Sequence, residues 1–364
     1  MKKKIMPAIM LALLLSFSSI STYAASSSTI SAEQTAEVLT VEEATKRAIE
    51  YSHTIKTLNE STDISEKTAD DTRQDLVNSS DSTSTITLNT QLKNLMNSIS
   101  SNKANTEIEK EKIRLNVIET FASIINAENE LDIYEKQLHI SERELKIAEV
   151  KINLGLISQS DYDALVISNK NTKSSKQSLE IALKQAYTSL NKILGRDLTT
   201  TYTVTLDIEY SPLGDANVDL AASRAASSSQ TVKDKENAEA VAKYRLDTYS
   251  YTDATINEYK QSYRNNYAQA TRDTADAKVN AENNVRNVYN SILTSETNYN
   301  TNLQNLTQKT SELEILKKKL ELGKITQLEY DKAELEIERL ENTMEQNVYS
   351  HYVLVCRFND PDLI

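Results

Sequence analysis

The chain has 364 residues, a formal net charge of −12, four glycines, three prolines and one cysteine, Cys356. The acidic charge argues against nucleic acid or anionic lipid as the main partner. A single cysteine excludes an internal disulfide, and the apolar residues before it indicate a packed core thiol. Because glycine and proline interrupt helices, their scarcity predicts unusually long helices.

The N-terminal residues have the pattern of an exported protein. Residues 1–24 combine three lysines, a short apolar core over residues 8–17 and small residues before a cleavage site at Ala24. The alternative is a retained N-terminal anchor, which the short core and the cleavage site disfavour. The Ser/Thr/Ala-rich residues 25–38 are predicted to be a disordered lead-in. We therefore expect an exported protein.

An internal repeat organises the rest of the chain. Residues 117–155 match residues 285–323 without a gap, so each position corresponds to the one 168 residues later. An earlier block, residues 44–48, matches residues 221–225. Two related halves predict a pseudo-two-fold unit. We expect a first repeat over residues 39–198, a linker over 199–217 and a second repeat over 218–360.

The apolar period within each half is that of a coiled coil. Leucine and related residues recur every seven positions, which predicts antiparallel helices with a left-handed supercoil. The turns are expected at Leu154-Gly155 and at Leu322-Gly323. Interspersed Ser and Ala residues suggest a seam where helices approach closely. The main heptad positions are Leu131, Leu138, Leu145 and Ile152, then Tyr299, Leu306, Leu313 and Leu320.

The linker is the only stretch that departs from the helical pattern. Residues 199–210 alternate and are rich in β-branched side chains, which predicts a short strand. The fold class is therefore all-α, with two tandem hairpins and one β-like segment.

The sequence offers no constellation for catalysis. The three histidines are far apart, and no two glycines are close enough to form a phosphate-binding loop. We therefore predict no enzyme activity, no cofactor and no metal. Tyr259, Tyr263 and Tyr267 form a helical stripe, which is either a packing seam or an aromatic surface for a partner or glycan.

Four segments, in order, resemble the TolC-like outer-membrane efflux proteins. They correspond to the opening helix of that family, an aromatic helix segment, a hairpin tip and the end of the first repeat. The tandem repeat is also that family's architecture. The segments are LTVEEA (39–44), TFASII (120–125), LGLISQSDY (154–162) and LNKILG (190–195).

The resemblance implies a homotrimeric helical conduit for efflux or secretion, associated with the outer membrane. Its partners would be a periplasmic-type adaptor (membrane fusion) protein and an inner-membrane transporter. Asp161 and Glu329 would line the entrance, although carboxylates just after a turn are also favoured by the helix macrodipole. Adaptor docking would fall on Leu154, Gly155, Leu156, Leu322, Gly323 and Lys324.

The sequence also departs from that family. Outer-membrane members carry a β-hairpin in each repeat, and these hairpins build a membrane barrel. Residues 57–116 and 234–284 show no long alternating strands, and residues 83–88 are too short to supply one. A second hypothesis is therefore a non-channel helical scaffold or binding protein of the envelope, extracellular or on the cell surface where no outer membrane exists. A surface coiled-coil adhesin is a third, disfavoured by the folded-back repeat.

Overall fold

The structure, a computed structural model, describes residues 37–249 and 257–364. The predicted signal peptide and nearly all of the predicted lead-in lie outside these residues. The described part is almost entirely helical, which confirms the predicted all-α fold of two long hairpins. Its elements are β1 Glu37–Leu39, α1 Val41–Tyr51, α2 His53–Asn78, α3 Ser82–Asn153, α4 Gln159–Leu194, β2 Tyr202–Val204, α5 Val218–Ser228, α6 Gln230–Tyr249, α7 Asn257–Glu321, α8 Gln327–Asn359 and the 3-10 helix Pro361–Leu363.

Two of the described helices are much longer than the others. Helix α3 has 72 residues and α7 has 65, which correspond to lengths of roughly 110 and 100 Å. Neither contains glycine or proline, so nothing in their sequences breaks the ladder of backbone hydrogen bonds. The Asp81 side chain accepts a hydrogen bond from the Ser84 N–H at 2.8 Å and so fixes the start of α3.

The helices form layers in which each repeat follows the same plan. Toward the hairpin turns, α3 packs between α4 and α8, and α7 packs on the far side of α8. Toward the opposite end, α3 packs between α2 and α6, and α7 packs on α6. At both ends two helices of the first repeat therefore lie beside two helices of the second repeat.

Each repeat has a buried core of its own. In the first repeat, Val117, Phe121 and Ile124 of α3 are fully buried together with Leu190 of α4. In the second repeat, Val285 and Ile292 of α7 are fully buried beside Phe358. Val117 with Val285, and Ile124 with Ile292, are pairs 168 residues apart, so the two cores have the same register.

The strands are shorter than the sequence suggested. Only Tyr202–Val204 of the predicted stretch forms a strand, and it pairs in parallel with β1, with Val38 opposite Thr203. Glu37 and Val38, the last residues described from the predicted lead-in, belong to β1, because this pairing orders them. Residues 83–88, considered as a possible strand, are helical within α3, and a short turn at residues 79–81 joins α2 to α3.

Within residues 37–249 and 257–364, no helix combines the length and apolar character that crossing a bilayer requires.

Candidate functional site: hairpin tips and open helix edges

Helix α3 ends in a glycine-dependent reversal, which with residues 154–158 is called tip 1. The Leu156 N–H donates to the Lys151 carbonyl at 2.8 Å, and the Gly155 N–H donates to the Ile152 carbonyl at 2.9 Å. Gly155 has a φ of 70°, a left-handed conformation that side chains disfavour. These two bonds define a Schellman motif, which satisfies the last carbonyls of α3 and turns the chain sharply.

Tip 2, residues 322–326, repeats this geometry at the end of α7. The Lys324 N–H donates to the Lys319 carbonyl and the Gly323 N–H to the Leu320 carbonyl, both at 2.8 Å. Gly323 has a φ of 67°. The two predicted turns therefore have the same backbone conformation.

The acidic residues after each tip serve as caps of the returning helices. The Ser158 hydroxyl accepts from the Asp161 N–H at 3.1 Å, and the Asp161 carboxylate accepts from the Ser158 hydroxyl at 2.7 Å. Thr326 and Glu329 form the same capping box. Hydrogen bonds from the Thr326 backbone and side chain lower the pKa of Glu329. This arrangement favours the helix-capping interpretation of both carboxylates, and their role at an entrance stays a prediction.

The tips present apolar side chains to solvent. Leu154, Leu156 and Leu322 are 67%, 68% and 69% exposed, although each adjoins a rigid turn. Nothing lies within 4 Å of the position a side chain would occupy at Gly155 or Gly323. The structure thus places the predicted docking residues on two open, preformed surfaces.

Both tips stand at the same end of the helix layer. Arg143, shortly before tip 1, forms an ion pair with Asp331, shortly after tip 2. Glu144 likewise pairs with Lys332. These contacts between α3 and α8 hold the two hairpins side by side close to their turns.

The contact continues along α3 and α8 as a set that we call the ladder. Leu335 of α8 is 3% exposed and packs between Ile133 and Ile140 of α3. Sequence reasoning missed this second apolar face of α3, because the heptad residues alone were assigned to the seam. The polar members of the ladder are Arg143–Asp331, Glu144–Lys332, Lys136–Glu338 at 2.8 Å, Gln137–Arg339 at 3.0 Å, Asn129–Asn342 at 3.1 Å and Asn129–Glu345 at 2.8 Å.

The repeat makes the ladder comparable with the outer helices of the layer. Residues 168 positions apart are called equivalent below. Helix α7 is equivalent to α3 and α4 to α8, so a contact between α7 and α4 would be equivalent to the ladder. Ile167 of α4 is equivalent to Leu335 but is 58% exposed. Thr301 and Gln308 of α7, equivalent to Ile133 and Ile140, are also exposed.

These exposed faces of α4 and α7 are called the open edges, and the α7 edge is largely uncharged. Residues 297–308 of α7 contain no charged side chain. On α4, the small residues Ser168, Ala182 and Ser189, which suggested a close seam, are exposed. The open edges therefore have the composition of a helix interface and no partner helix in the described chain.

Two equivalent glutamates anchor the helices near the cores. Glu128 accepts from the Tyr187 hydroxyl at 2.7 Å, and that hydroxyl also lies 2.8 Å from the Tyr202 carbonyl. Burial and the hydrogen bond to Glu128 raise the pKa of Tyr187. The equivalent Glu296 accepts from the Leu213 N–H at 2.7 Å and lies 3.1 Å from the buried His351 ring. Glu128 and Glu296 match in the repeat, which was the available sequence signal.

The other residues considered in the sequence are the tyrosine stripe, Cys356 and possible metal ligands. The Tyr263 ring lies 5.8 Å from the Arg245 guanidinium and is half-buried, which favours the packing interpretation of the tyrosine stripe. The side chain of Tyr259 lies outside the described residues. Cys356 is half-buried, 3.9 Å from Arg114. Among the described residues, no three His, Cys, Asp or Glu side chains are grouped as metal ligands would be.

Comparison with known proteins identifies the fold. No family model and no curated protein matches the sequence. A membrane protein from Pseudomonas aeruginosa superimposes with a TM-score of 0.64 at 11% identity, over 89% of this chain and 90% of that one. The outer membrane protein VceC from Vibrio cholerae gives 0.64 at 9% identity, over 87% and 95%. The CmeC outer membrane channel from Campylobacter jejuni gives 0.58 at 10% identity, over 86% and 84%. The chain has the TolC-like fold.

Proposed function

We propose that the chain is the conduit component of an efflux or secretion system and assembles through its open edges into a closed homotrimeric helical tube. The solved structures with the same fold include proteins named as outer membrane channels. The proposal rests on one observation. The ladder joins α3 to α8 within the chain, but the equivalent helices α7 and α4 form no such contact with each other among the described residues.

A second copy can supply that contact. If α4 of one chain packs on α7 of the next, Ile167 enters the position that Leu335 occupies in the ladder. The contact is head-to-tail, and a head-to-tail contact whose rotation closes builds a ring. Because the repeats alternate around such a ring, every long helix would have two neighbours. A trimer is the closure implied by the family resemblance.

Cross-linking tests the assembly at one pair of positions. Asn129 and Asn342, in contact within the ladder, are equivalent to Thr297 and Ser174 on the open edges. In a chain with Cys356→Ser, the variant Thr297→Cys/Ser174→Cys should form disulfides between chains on oxidation, seen as covalent trimers on a denaturing gel. Its matched control, Asn129→Cys/Asn342→Cys, should close a disulfide within one chain and leave the mass unchanged.

Single-cysteine variants should give covalent dimers at most. If the control forms its disulfide while the edge variant stays monomeric at micromolar concentration, the conduit is excluded and the envelope scaffold becomes the better hypothesis. Native mass measurement of the unmodified chain provides an independent count of subunits.

We also propose that the two tips dock the adaptor, which is supported by their exposed leucines and rigid turns. The variant Leu156→Asp/Leu322→Asp should lose at least tenfold in affinity for a purified adaptor hairpin, because apolar anchors dominate such contacts. The control is Val77→Asp, at a residue that is 86% exposed near the opposite end. An equal loss in both variants, or none in either, rules out docking at the tips.

A further inference from the structure

A cavity of about 410 Å³ lies where the start of α6 meets α7 and the C-terminal 3-10 helix. Its volume is within the range of small-molecule sites. The basic residues that line it, Lys112 and Lys235, come from α3 and α6, whereas the acidic residues Asp273 and Asp276 both come from α7. We call this site the charged cavity. Its opposite charges therefore stand on different helices.

The charges around the cavity do not neutralise one another. Lys112, Lys235 and Asp276 are exposed, and none of the three forms an ion pair with any residue in the described parts of the chain. Asp273 accepts a hydrogen bond from the Gln269 side chain of its own helix at 2.6 Å. Opposite charges that line one cavity without reaching each other can each bind one end of a ligand that carries both charges.

A buried hydroxyl group adds to the cavity at the start of α6. Ser229 is 6% exposed, and its Oγ has no hydrogen-bond partner among the described residues. The Asp362 carboxylate, which also lines the cavity, accepts from the Gln230 N–H at 2.7 Å and so lies against the positive end of the α6 dipole. A buried polar atom without a partner is costly, and a polar group of a ligand could offset that cost.

The first repeat shows that the fold does not require these charges. Helices α5 and α6 begin at residues 218 and 230, each 177 positions after the starts of α1 and α2 at 41 and 53. Ser52 matches Ser229, but its side chain accepts from the Ile55 N–H at 3.3 Å as an ordinary helix cap. The other matching residues are uncharged, with Leu58 for Lys235, Asn105 for Asp273 and Ile108 for Asp276.

We propose that the charged cavity binds a small zwitterionic peptide. Its carboxylate would lie against Lys112, Lys235 and the start of α6, and its ammonium group against the two aspartates of α7. A simple anion would face the aspartates and a simple cation the lysines, so a ligand with both charges fits best. Asn280 and Asn284 also line the cavity, and their amides can both donate to and accept from a peptide group.

This site is separate from the proposed contact between chains. All of its residues belong to one chain, and residues 273–284 of α7 precede the uncharged stretch of the open edge, residues 297–308, by roughly 20 Å. The inference therefore goes beyond the conduit, and an isolated chain should bind the peptide as well as an assembled one.

Three matched ligands test the need for both charges. The probe is the dipeptide alanyl-alanine, which has charged ends and uncharged side chains. Titration calorimetry with the full chain should show one dipeptide bound per chain, with an affinity that falls as salt increases. Acetylation of the amino group or amidation of the carboxyl group removes one charge, and either change should weaken binding about tenfold or more.

Two variants assign each end of the dipeptide to its side of the cavity. Lys235→Leu and Asp276→Asn should each weaken binding of alanyl-alanine about tenfold. Lys235→Leu should have no further effect on the amidated dipeptide, and Asp276→Asn none on the acetylated one, because the group that each side chain binds is already gone. The matched control is Lys243→Leu, at an exposed lysine of α6 outside the cavity, which should bind as the parent does. Both altered residues are exposed, so helix content should not change.

Several outcomes would overturn the proposal. Equally tight binding of the acetylated dipeptide would make the cavity a simple anion site, and equally tight binding of the amidated one a simple cation site. Equal loss in Lys243→Leu, or no saturable binding of alanyl-alanine up to about 10 mM, would also exclude the site. Native mass measurement of the same samples keeps the two proposals apart. A monomeric chain that still binds the dipeptide would contradict the conduit and leave the charged cavity in place.

Discussion

The ladder between α3 and α8 and the open edges of α4 and α7 occupy equivalent positions but differ in chemistry. The ladder combines a buried leucine with ion pairs and amide contacts, such as Lys136–Glu338 and Asn129–Asn342. The open edges offer Thr, Ser, Asn and Gln, with Ile167 exposed where Leu335 is buried.

This difference shows how one repeat can serve two kinds of contact. Within a chain, α3 and α8 belong to the same polypeptide, so bringing them together costs little association entropy. Charged pairs between them can therefore fix the register of the two helices. Between chains, each buried charge would need a partner to offset its lost hydration. The α7 edge, which has no charged side chain over residues 297–308, avoids that cost.

The largest expected effect tests whether equivalent residues have separate roles. Leu335→Ala should lower the free energy of unfolding by about 3 kcal/mol, because it leaves a cavity between α3 and α8. Ile167→Ala should change the unfolding of the isolated chain by no more than about 0.5 kcal/mol, because the side chain is 58% exposed. Urea unfolding at low protein concentration measures both.

Assembly of chains should depend more on Ile167 than on Leu335, the opposite of their order in unfolding. Ile167→Ala should shift the subunit equilibrium toward monomer in native mass measurements, with no change in helix content. If Ile167→Ala unfolds as easily as Leu335→Ala, the α4 edge already has a partner within the chain. The comparison between ladder and edge would then fail.

Sequence reasoning predicted the repeat, the hairpins and the turns, because each rests on local signals. Gly155 and Gly323 are isolated glycines in long helical patterns, and both end a helix in a left-handed cap. The second face of α3, with Ile133 and Ile140, was missed because a heptad pattern identifies one seam and this helix has neighbours on two sides. The extent of β2 could not be read from β-branched residues, since it depends on the length of its partner β1.

Some features of the candidate site were likewise predicted from the sequence, and others were not. Leu154, Leu156 and Leu322 were named from the turn motif, and the structure shows them exposed. The open edges were not predicted, because a sequence pattern shows that a residue is small or apolar but not whether a helix covers it.

The smallest expected effect concerns one ion pair of the ladder. Partial burial alone would lower the pKa of Lys136, but hydrogen bonds to Asp132 and Glu338 outweigh it and raise that pKa. A raised lysine pKa means that the pair stabilises the fold fully below the ordinary lysine pKa and less as the pH rises through the raised value. Both side chains are partly exposed, so Glu338→Gln should cost only about 0.5 kcal/mol.

The equivalent residue on α4 provides the matched control for this pair. Lys170→Gln should leave the unfolding of the isolated chain unchanged, because Lys170 has no ion-pair partner among the described residues. The cost of Glu338→Gln, measured as a shift in the urea midpoint, should shrink when salt is raised to about 1 M, since screening weakens the parent's pair. A cost that is independent of salt would mean that Glu338 acts through packing, and the ladder would then differ from the open edges in shape and not in charge.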